Sequence, residues 1–151
     1  MSLDDLYRQV ILDHYRSPRR AGRLDHPDAH ADGSNPLCGD ELSIDLAIDG
    51  GTVTDVRFTG RGCSISQASA SMMADRIVGQ TLEEVTELSH RVKRLLDIEP
   101  GEPGIDPDRP GAALGDIEAL AGVRRFPVRI KCADLPWTTL MEALGGDAGT
   151  G

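Results

Sequence analysis

Three cysteines stand where they could do chemistry: Cys38 in Asn35-Pro36-Leu37-Cys38-Gly39-Asp40, Cys63 in Gly60-Arg61-Gly62-Cys63-Ser64, and Cys132 in Arg129-Ile130-Lys131-Cys132. Asp40 follows Cys38 across a single glycine. Alternate residues of an extended turn can point to the same side, and Gly39 admits backbone conformations that a Cβ forbids. Three thiolates and a carboxylate could close a tetrahedral metal site, or leave one thiolate free for sulfur chemistry. On Zn²⁺ four such ligands would carry a net charge of about minus two. Arg61, Arg129 and Lys131, each within three residues of a cysteine, could offset it. The Asp40 oxygen is the dissimilar ligand among sulfurs, which makes the site a plausible place for ligand exchange.

Inert thiols are the competing reading. A free cysteine is commonly a small buried hydrophobe, and separations of 25 and 69 residues are not a zinc-finger spacing. His14 reads as structural, His26, His30 and His90 as facing solvent, and Met72-Met73 as core filling. Gly60-Arg61-Gly62 lacks the downstream Gly-Lys-Ser/Thr of a phosphate-binding loop.

The elements that must position the cysteines follow from periodicity. Leu3, Leu6, Tyr7, Val10, Ile11 and His14 make one apolar stripe, predicting a helix over residues 2–15 with a Ser2/Asp5 capping box. Residues 19–34 are polar and read as a surface loop leading to Cys38. From Glu41 the period becomes two, with Leu42, Ile44, Leu46 and Ile48 on one face. Asp49-Gly50-Gly51 then turns the chain into a return strand through Val53, Val56 and Phe58, whose alternation is imperfect. Ser64 and Gln67 have capping-box spacing for a helix running to Val78 and ended by Gly79. Thr81 and Glu84 have it for the next, in which Leu82, Val85, Leu88, Val92 and Leu95 face the core.

Residues 98–111, IEPGEPGIDPDRPG, read as a mobile loop, and Asp116 as the cap of a short helix through Ala121. The spacing predicts an extended segment over residues 123–131. The last helix then starts just past Cys132, with Asp134 as cap and Pro136 in its first turn. On this reading Cys63 and Cys132 both sit at helix N-termini, where backbone N–H groups and the helix dipole favour a thiolate.

Length and charge narrow the function classes. A chain of 151 residues reads as one domain, 1–151, with a disordered tail predicted from about residue 147. With 3% aromatic residues the core must be aliphatic. A formal charge of −9 argues against nucleic acid or an anionic membrane as partner. No apolar run approaches the ~20 residues of a membrane span. An odd cysteine count without an export signal reads as reduced thiols in the cytoplasm.

The motifs taken together resemble the U-type iron–sulfur cluster assembly family (IscU-like proteins and the N-terminal part of NifU), and within it the SufU branch. The resemblance runs through Leu6-Tyr7-Arg8-Gln9-Val10-Ile11, Asp13-His14-Tyr15 and Ser17-Pro18-Arg19, then Asn35-Pro36 with Cys38-Gly39-Asp40. It continues through Gly62-Cys63-Ser64-Ile65-Ser66 and Ala68 to Met73, and ends in Leu114 to Leu120, Phe126-Pro127 and Arg129-Ile130-Lys131-Cys132 with Leu135 and Trp137. It implies an α+β fold of the SufE/NifU-like kind, a small antiparallel β-sheet packed against several α-helices, with the metal site at one end.

By the same resemblance the zinc ligands are Cys38, Asp40, Cys63 and Cys132, and Cys38 is the thiol that accepts persulfide sulfur. The chain would then be a zinc-dependent sulfurtransferase serving iron–sulfur cluster assembly. Its partners would be a SufS-type cysteine desulfurase and the downstream assembly machinery. Scaffold members typically carry histidine just before the third cysteine, where this chain has Lys131. The branch also has an insertion before that cysteine, matching residues 98–122. A scaffold that builds an iron–sulfur cluster on the same ligands, and a purely structural zinc domain, are the alternatives.

Overall fold

The structure is a computed structural model that describes residues 2–36, 39–106 and 108–145. Helix α1 (Leu3–Arg16) leads to three strands, β1 (Ala29–Asn35), β2 (Asp40–Asp49) and β3 (Thr52–Arg61). Helices α2 (Ser64–Ile77) and α3 (Leu82–Leu95), a 3-10 helix (Gly115–Val123) and helix α4 (Pro127–Ala143) follow. The strands form one antiparallel sheet in the order β1-β2-β3. Helix α4 packs on β1 and β2, α2 packs on β3, and α1 and the 3-10 helix pack against α2. This α+β arrangement is the one the family resemblance implies. Among the described residues no helix is long and apolar enough to cross a membrane.

The parts read from periodicity form as the pattern dictates. Ser2 Oγ accepts from the Asp5 amide at 3.2 Å and Asp5 accepts from the Ser2 amide at 3.3 Å, closing the first capping box. The Thr81/Glu84 box closes in the same way over α3. Leu42, Ile44 and Leu46 of β2 are buried under the helices. The imperfect alternation of β3 has a local cause. The register shifts after Ala47, so that Ile48 pairs with Val53 while Leu46 pairs with Val56. The extra residue is Thr54. This bulge lets Val53 and Val56, three apart in sequence, both reach the core, where each is 0% exposed.

Four expectations are corrected. Residues 29–34, predicted inside a loop, form with Asn35 the edge strand β1, hydrogen-bonded to β2 from Ala29↔Leu46 to Asn35↔Asp40. Their small and polar side chains hide the strand, yet they are what its place requires. A Cβ at Gly33 would strike Thr139 Oγ1 and lie 3.2 Å from Leu135 Cδ1, because α4 rests directly on this strand. Ser64 and Gln67 make no capping box. Cys63 itself is the N-cap of α2, with no side-chain cap bond, and its carbonyl accepts from the Gln67 amide.

Asp116 does not cap the 3-10 helix, which begins after Leu114. Its carboxylate instead lies 2.8 Å from His14 Nε2. The largest correction concerns α4, which begins at Pro127 rather than past Cys132. Proline suits a first helical position because its φ is preset and its missing amide would have no partner there. Pro136, expected in the first turn, lies in the helix interior, and Asp134, expected as cap, receives Lys93 Nζ at 2.7 Å.

Two buried polar lines fix the helices that carry the site. Trp137 Nε1 donates to Ser69 Oγ at 3.1 Å, and Ser69 Oγ donates to the Ala133 carbonyl at 2.7 Å, which pins α4 to α2. His14 Nδ1 meets Ser71 Oγ at 2.7 Å and Ser71 Oγ accepts the Arg19 amide at 2.8 Å, which pins α1 to α2. Ser71, His14 and Asp116 have the composition of a hydrolase triad. Both Ser71 and His14 are 0% exposed, so no substrate reaches them and the line is structural. His30 is exposed as expected, but its Nδ1 lies 2.6 Å from Asp45 Oδ1. That bond, with a second to Asp32, raises its pKa above the ordinary imidazole value.

Candidate metal centre

Three of the four expected ligands meet at one end of the sheet. Asp40 is the first residue of β2, Cys63 precedes the first turn of α2, and Cys132 lies in the second turn of α4. Their ligand atoms, two sulfurs and a carboxylate oxygen, all lie within 4.8 Å of one another. Among the described residues no other group of three histidines, cysteines or acids converges in this way. Asp40 is 1% exposed and Cys132 2%, while Cys63 is partly open. Cys38, expected as the fourth ligand and as the acceptor thiol, lies outside the described residues.

The strand register brings Asp40 and Cys63 together. Glu41 pairs with Arg61, and one step further along the ladder Asp40 comes against Gly62. There Asp40 Oδ1 accepts the Cys63 amide at 2.8 Å, and Cys63 Sγ approaches Asp40 Oδ2 at 3.7 Å. The amide at a helix N-cap thus fixes the carboxylate and leaves its second oxygen beside the sulfur. Cys132 reaches the same point from inside α4, with its Sγ 3.5 Å from the Val128 carbonyl. Its thiolate is therefore not held by a helix N-terminus, as the sequence had suggested. Of these two cysteines, Cys63 has that position.

The donor set fits zinc. Bonds of about 2.3 Å to sulfur and 2.0 Å to oxygen place neighbouring ligands of a tetrahedron about 3.5–3.8 Å apart. The 3.7 Å between Cys63 Sγ and Asp40 Oδ2 already lies in that range. A buried carboxylate and a buried thiol from different elements meet here, and a divalent cation would supply the counter-charge for the carboxylate and for the thiolate that binding creates. The cations expected to offset the ligand charge face other groups. Arg61 pairs with Glu41 at 2.9 Å, Arg129 lies 5.2 Å from the Phe126 ring centroid, and Lys131 is exposed.

Gly62 is a positioning residue that sequence reasoning missed, although a glycine directly before a candidate ligand was a visible signal. Its φ is +140°, and a Cβ there would strike Asp40 Oδ1 and lie 2.8 Å from Asp40 Cα. Neither the carboxylate nor the strand backbone can move without breaking the bond to the Cys63 amide. Gly62→Ala is expected to destabilise the protein by about 1–3 kcal/mol and to weaken metal binding. Thermal unfolding and zinc titration check this, and an unchanged zinc affinity would show that the close approach is unimportant. Gly39, at φ +68°, also holds a conformation that favours glycine, next to the segment carrying Cys38.

Comparison with known proteins adds the family context. The profile described as NifU-like N terminal domain matches residues 6–133. The zinc-dependent sulfurtransferase SufU of Bacillus subtilis (strain 168) is 43% identical over 148 residues, covering 98% of this chain and 95% of the relative. The iron–sulfur cluster assembly scaffold protein IscU of Streptococcus pyogenes serotype M1 is 38% identical over 143 residues, covering 94% and 84%. Among solved structures, a putative iron–sulfur cluster assembly scaffold protein for the SUF system from Fervidobacterium islandicum AW-1 superposes with a TM-score of 0.79. It is 32% identical and covers 90% of this chain and 94% of that one.

Proposed function

The chain belongs to the NifU-like N-terminal domain family, and from that premise we propose that it is a zinc-dependent sulfurtransferase. In this reading it accepts persulfide sulfur from a cysteine desulfurase for iron–sulfur cluster assembly. The observation that carries the reading is the convergence of Asp40, Cys63 and Cys132 within 4.8 Å, in a chain 43% identical to a protein named as a zinc-dependent sulfurtransferase. Cys38 would complete the ligand set and serve as the acceptor, and the desulfurase would be of the SufS type. Zinc, when bound, keeps thiols deprotonated at neutral pH without redox chemistry of its own.

The chain's own residues account for the rest. The Cys38 thiolate attacks the terminal sulfur of the donor's persulfide. The new S–S bond forms on Cys38 as the old one breaks, and the donor's cysteine leaves as a thiolate, so charge and electrons balance. Gly39 supplies the backbone freedom for Cys38 to meet the donor, while Asp40 is held back by the Cys63 amide. Cys63 caps α2 and Cys132 lies in the second turn of α4, two helices that Ser69 and Trp137 lock together, so both remain in place during transfer.

The test is cysteine-desulfurase turnover with and without this protein, repeated after chelation and after zinc is restored. Stimulation that disappears with the metal and returns with zinc is the expected result. A structural zinc domain would leave turnover unchanged throughout. Resemblance to scaffolds such as the Streptococcus pyogenes protein gives a second reading, a cluster built on the same ligands. Protein purified without oxygen would then be brown rather than colourless.

A further inference from the structure

The face of the sheet turned away from the helices is charged, and a chain segment straps it. Alternation along β2 points Leu42, Ile44 and Leu46 inward and Ser43 and Asp45 outward. Residues 20–28 cross that outer face. They begin on the edge of β3, where the Gly22 amide donates to the Phe58 carbonyl at 2.8 Å and the Arg20 carbonyl accepts the Phe58 amide at 3.2 Å. They end on β2, where the Asp28 amide donates to the Leu46 carbonyl at 2.7 Å. Between these points the strap is held by Asp45, which it covers until the residue is only 1% exposed. Asp45 Oδ2 accepts Arg23 Nε at 3.1 Å and the Leu24 amide at 3.0 Å.

His30 takes the other oxygen. It stands opposite Asp45 in the β1–β2 register, with Nδ1 2.6 Å from Asp45 Oδ1 and Nε2 3.1 Å from Asp32 Oδ1. Asp32 in turn accepts from Ser43 Oγ across the same pair of strands. A neutral imidazole has a single N–H, so one of its nitrogens would turn a lone pair toward a carboxylate. Only an imidazolium donates to both. The charged groups around it are Asp32 on β1, Asp45 on β2 and, from the strap, Arg23 on the far oxygen of Asp45. Arg57, the β3 partner of Asp45 in the register, pairs instead with Asp55 at 2.6 Å, where Arg20 of the strap joins it.

We propose that His30 is a proton-dependent clamp: as an imidazolium it holds the edge strand β1 and the strap over Asp45 to the sheet, and on losing its proton it loosens both. The pKa of His30 is raised, first by the bond to Asp45 and then by the bond to Asp32. Its side chain is 37% accessible, so solvent can take the proton without unfolding the chain. A pKa raised by folding gives a contribution to stability that is complete below the unfolded value of about 6.5 and is lost as the pH climbs through the folded value. The device reaches the metal centre along the chain itself. Strand β1 ends at Asn35, paired with Asp40, and runs directly into the segment that carries Cys38. The proton on His30 therefore governs how firmly that strand is seated. This holds whether or not the chain accepts sulfur, because it concerns only how β1 is held.

Ring-proton NMR of the zinc-loaded protein across pH reads the protonation. His30 is expected to titrate above the ordinary value of about 6.5, and Asp32→Asn, a change at an exposed side chain, is expected to lower its pKa. Melting curves and amide exchange read the clamp. His30→Gln should melt about 2–4 °C below wild type at about pH 6, with the gap closing at about pH 9. Exchange over residues 20–35, corrected for the intrinsic rate, should quicken in wild type over the same range and already be quick in the variant at the lower pH. Zinc content, measured in every sample, separates these effects from loss of the metal. A His30 that titrates at or below the ordinary value would overturn the proposal, and so would a melting gap of the same size at both pH values. A raised pKa with no change in exchange would also overturn it, by reducing the contact to a surface ion pair.

Discussion

Cys38→Ala is expected to abolish sulfur transfer: the variant should leave the desulfurase at its unstimulated rate and carry no persulfide, a loss on the order of 10² or more. The argument is one of roles. Cys132 is buried inside α4, and Cys63 is committed to a helix cap whose amide holds Asp40. Cys38 follows Asn35-Pro36-Leu37 and precedes a glycine of positive φ, which suits a thiol that must meet a second protein. Removing Cys38 also removes a proposed ligand, so the measurement is made with zinc in excess and with metal content recorded. Full acceleration together with persulfide on the variant, read by mass spectrometry, would refute the assignment. Cys38→Ser, which restores a polar group without a sulfur to sulfurate, is expected to be equally inactive.

The second large effect is expected from Cys132→Ala, and it separates a ligand from an inert buried thiol. If Cys132 is a ligand, zinc affinity falls by more than the roughly 10–100-fold that losing a mere supporting partner costs. Stability shows the same difference through linkage. A metal at 1,000 times its dissociation constant stabilises the native state by about 4 kcal/mol. Wild type should therefore melt far higher with zinc than without, whereas the variant should gain little from the metal. If the thiol is only packing, the variant is destabilised by the same amount in both conditions. Melting curves of both proteins with zinc and with chelator decide between these outcomes.

What could be read from the sequence, and what could not, follows from how local each signal is. Helix α1 was legible because its stripe and its Ser2/Asp5 cap are contained within the element. The β2–β3 hairpin was legible because Leu42, Ile44 and Leu46 alternate over a turn rich in glycine. Strand β1 was not, because its residues are small and polar, and Gly33 is a glycine for the sake of α4, which comes a hundred residues later. The start of α4 was misread because Pro127 and Pro136 are both acceptable first residues. The choice between them is made by tertiary contacts, through Trp137 on Ser69 and Ser69 on Ala133. Asp40, Cys63 and Cys132 were legible as chemistry, but their convergence needed the β2–β3 register and the placement of α4 on the sheet. The reason Cys132 belongs at the site also changed, from a helix end to a helix interior.

The residues that meet at the site are far apart along the chain, and this gives bound metal a second physical meaning as a cross-link. Positions 40, 63 and 132 enclose loops of 23 and 69 residues, and closing a loop costs the unfolded chain entropy only as the logarithm of its length. The second loop, three times the first, is harder to close by only about 1 kcal/mol. The irregular segment 98–111, tied down by Arg91 on the Pro103 and Gly104 carbonyls, lies inside that second loop. Removing or doubling those residues would change the closure term by roughly 0.2 kcal/mol. Chain-length variation in this segment is therefore nearly free for the metal centre. A zinc ion held at the site ties the start of β2 to the start of α2 and to the second turn of α4, so its loss removes a link between residues spread from 40 to 132 rather than one within a single element.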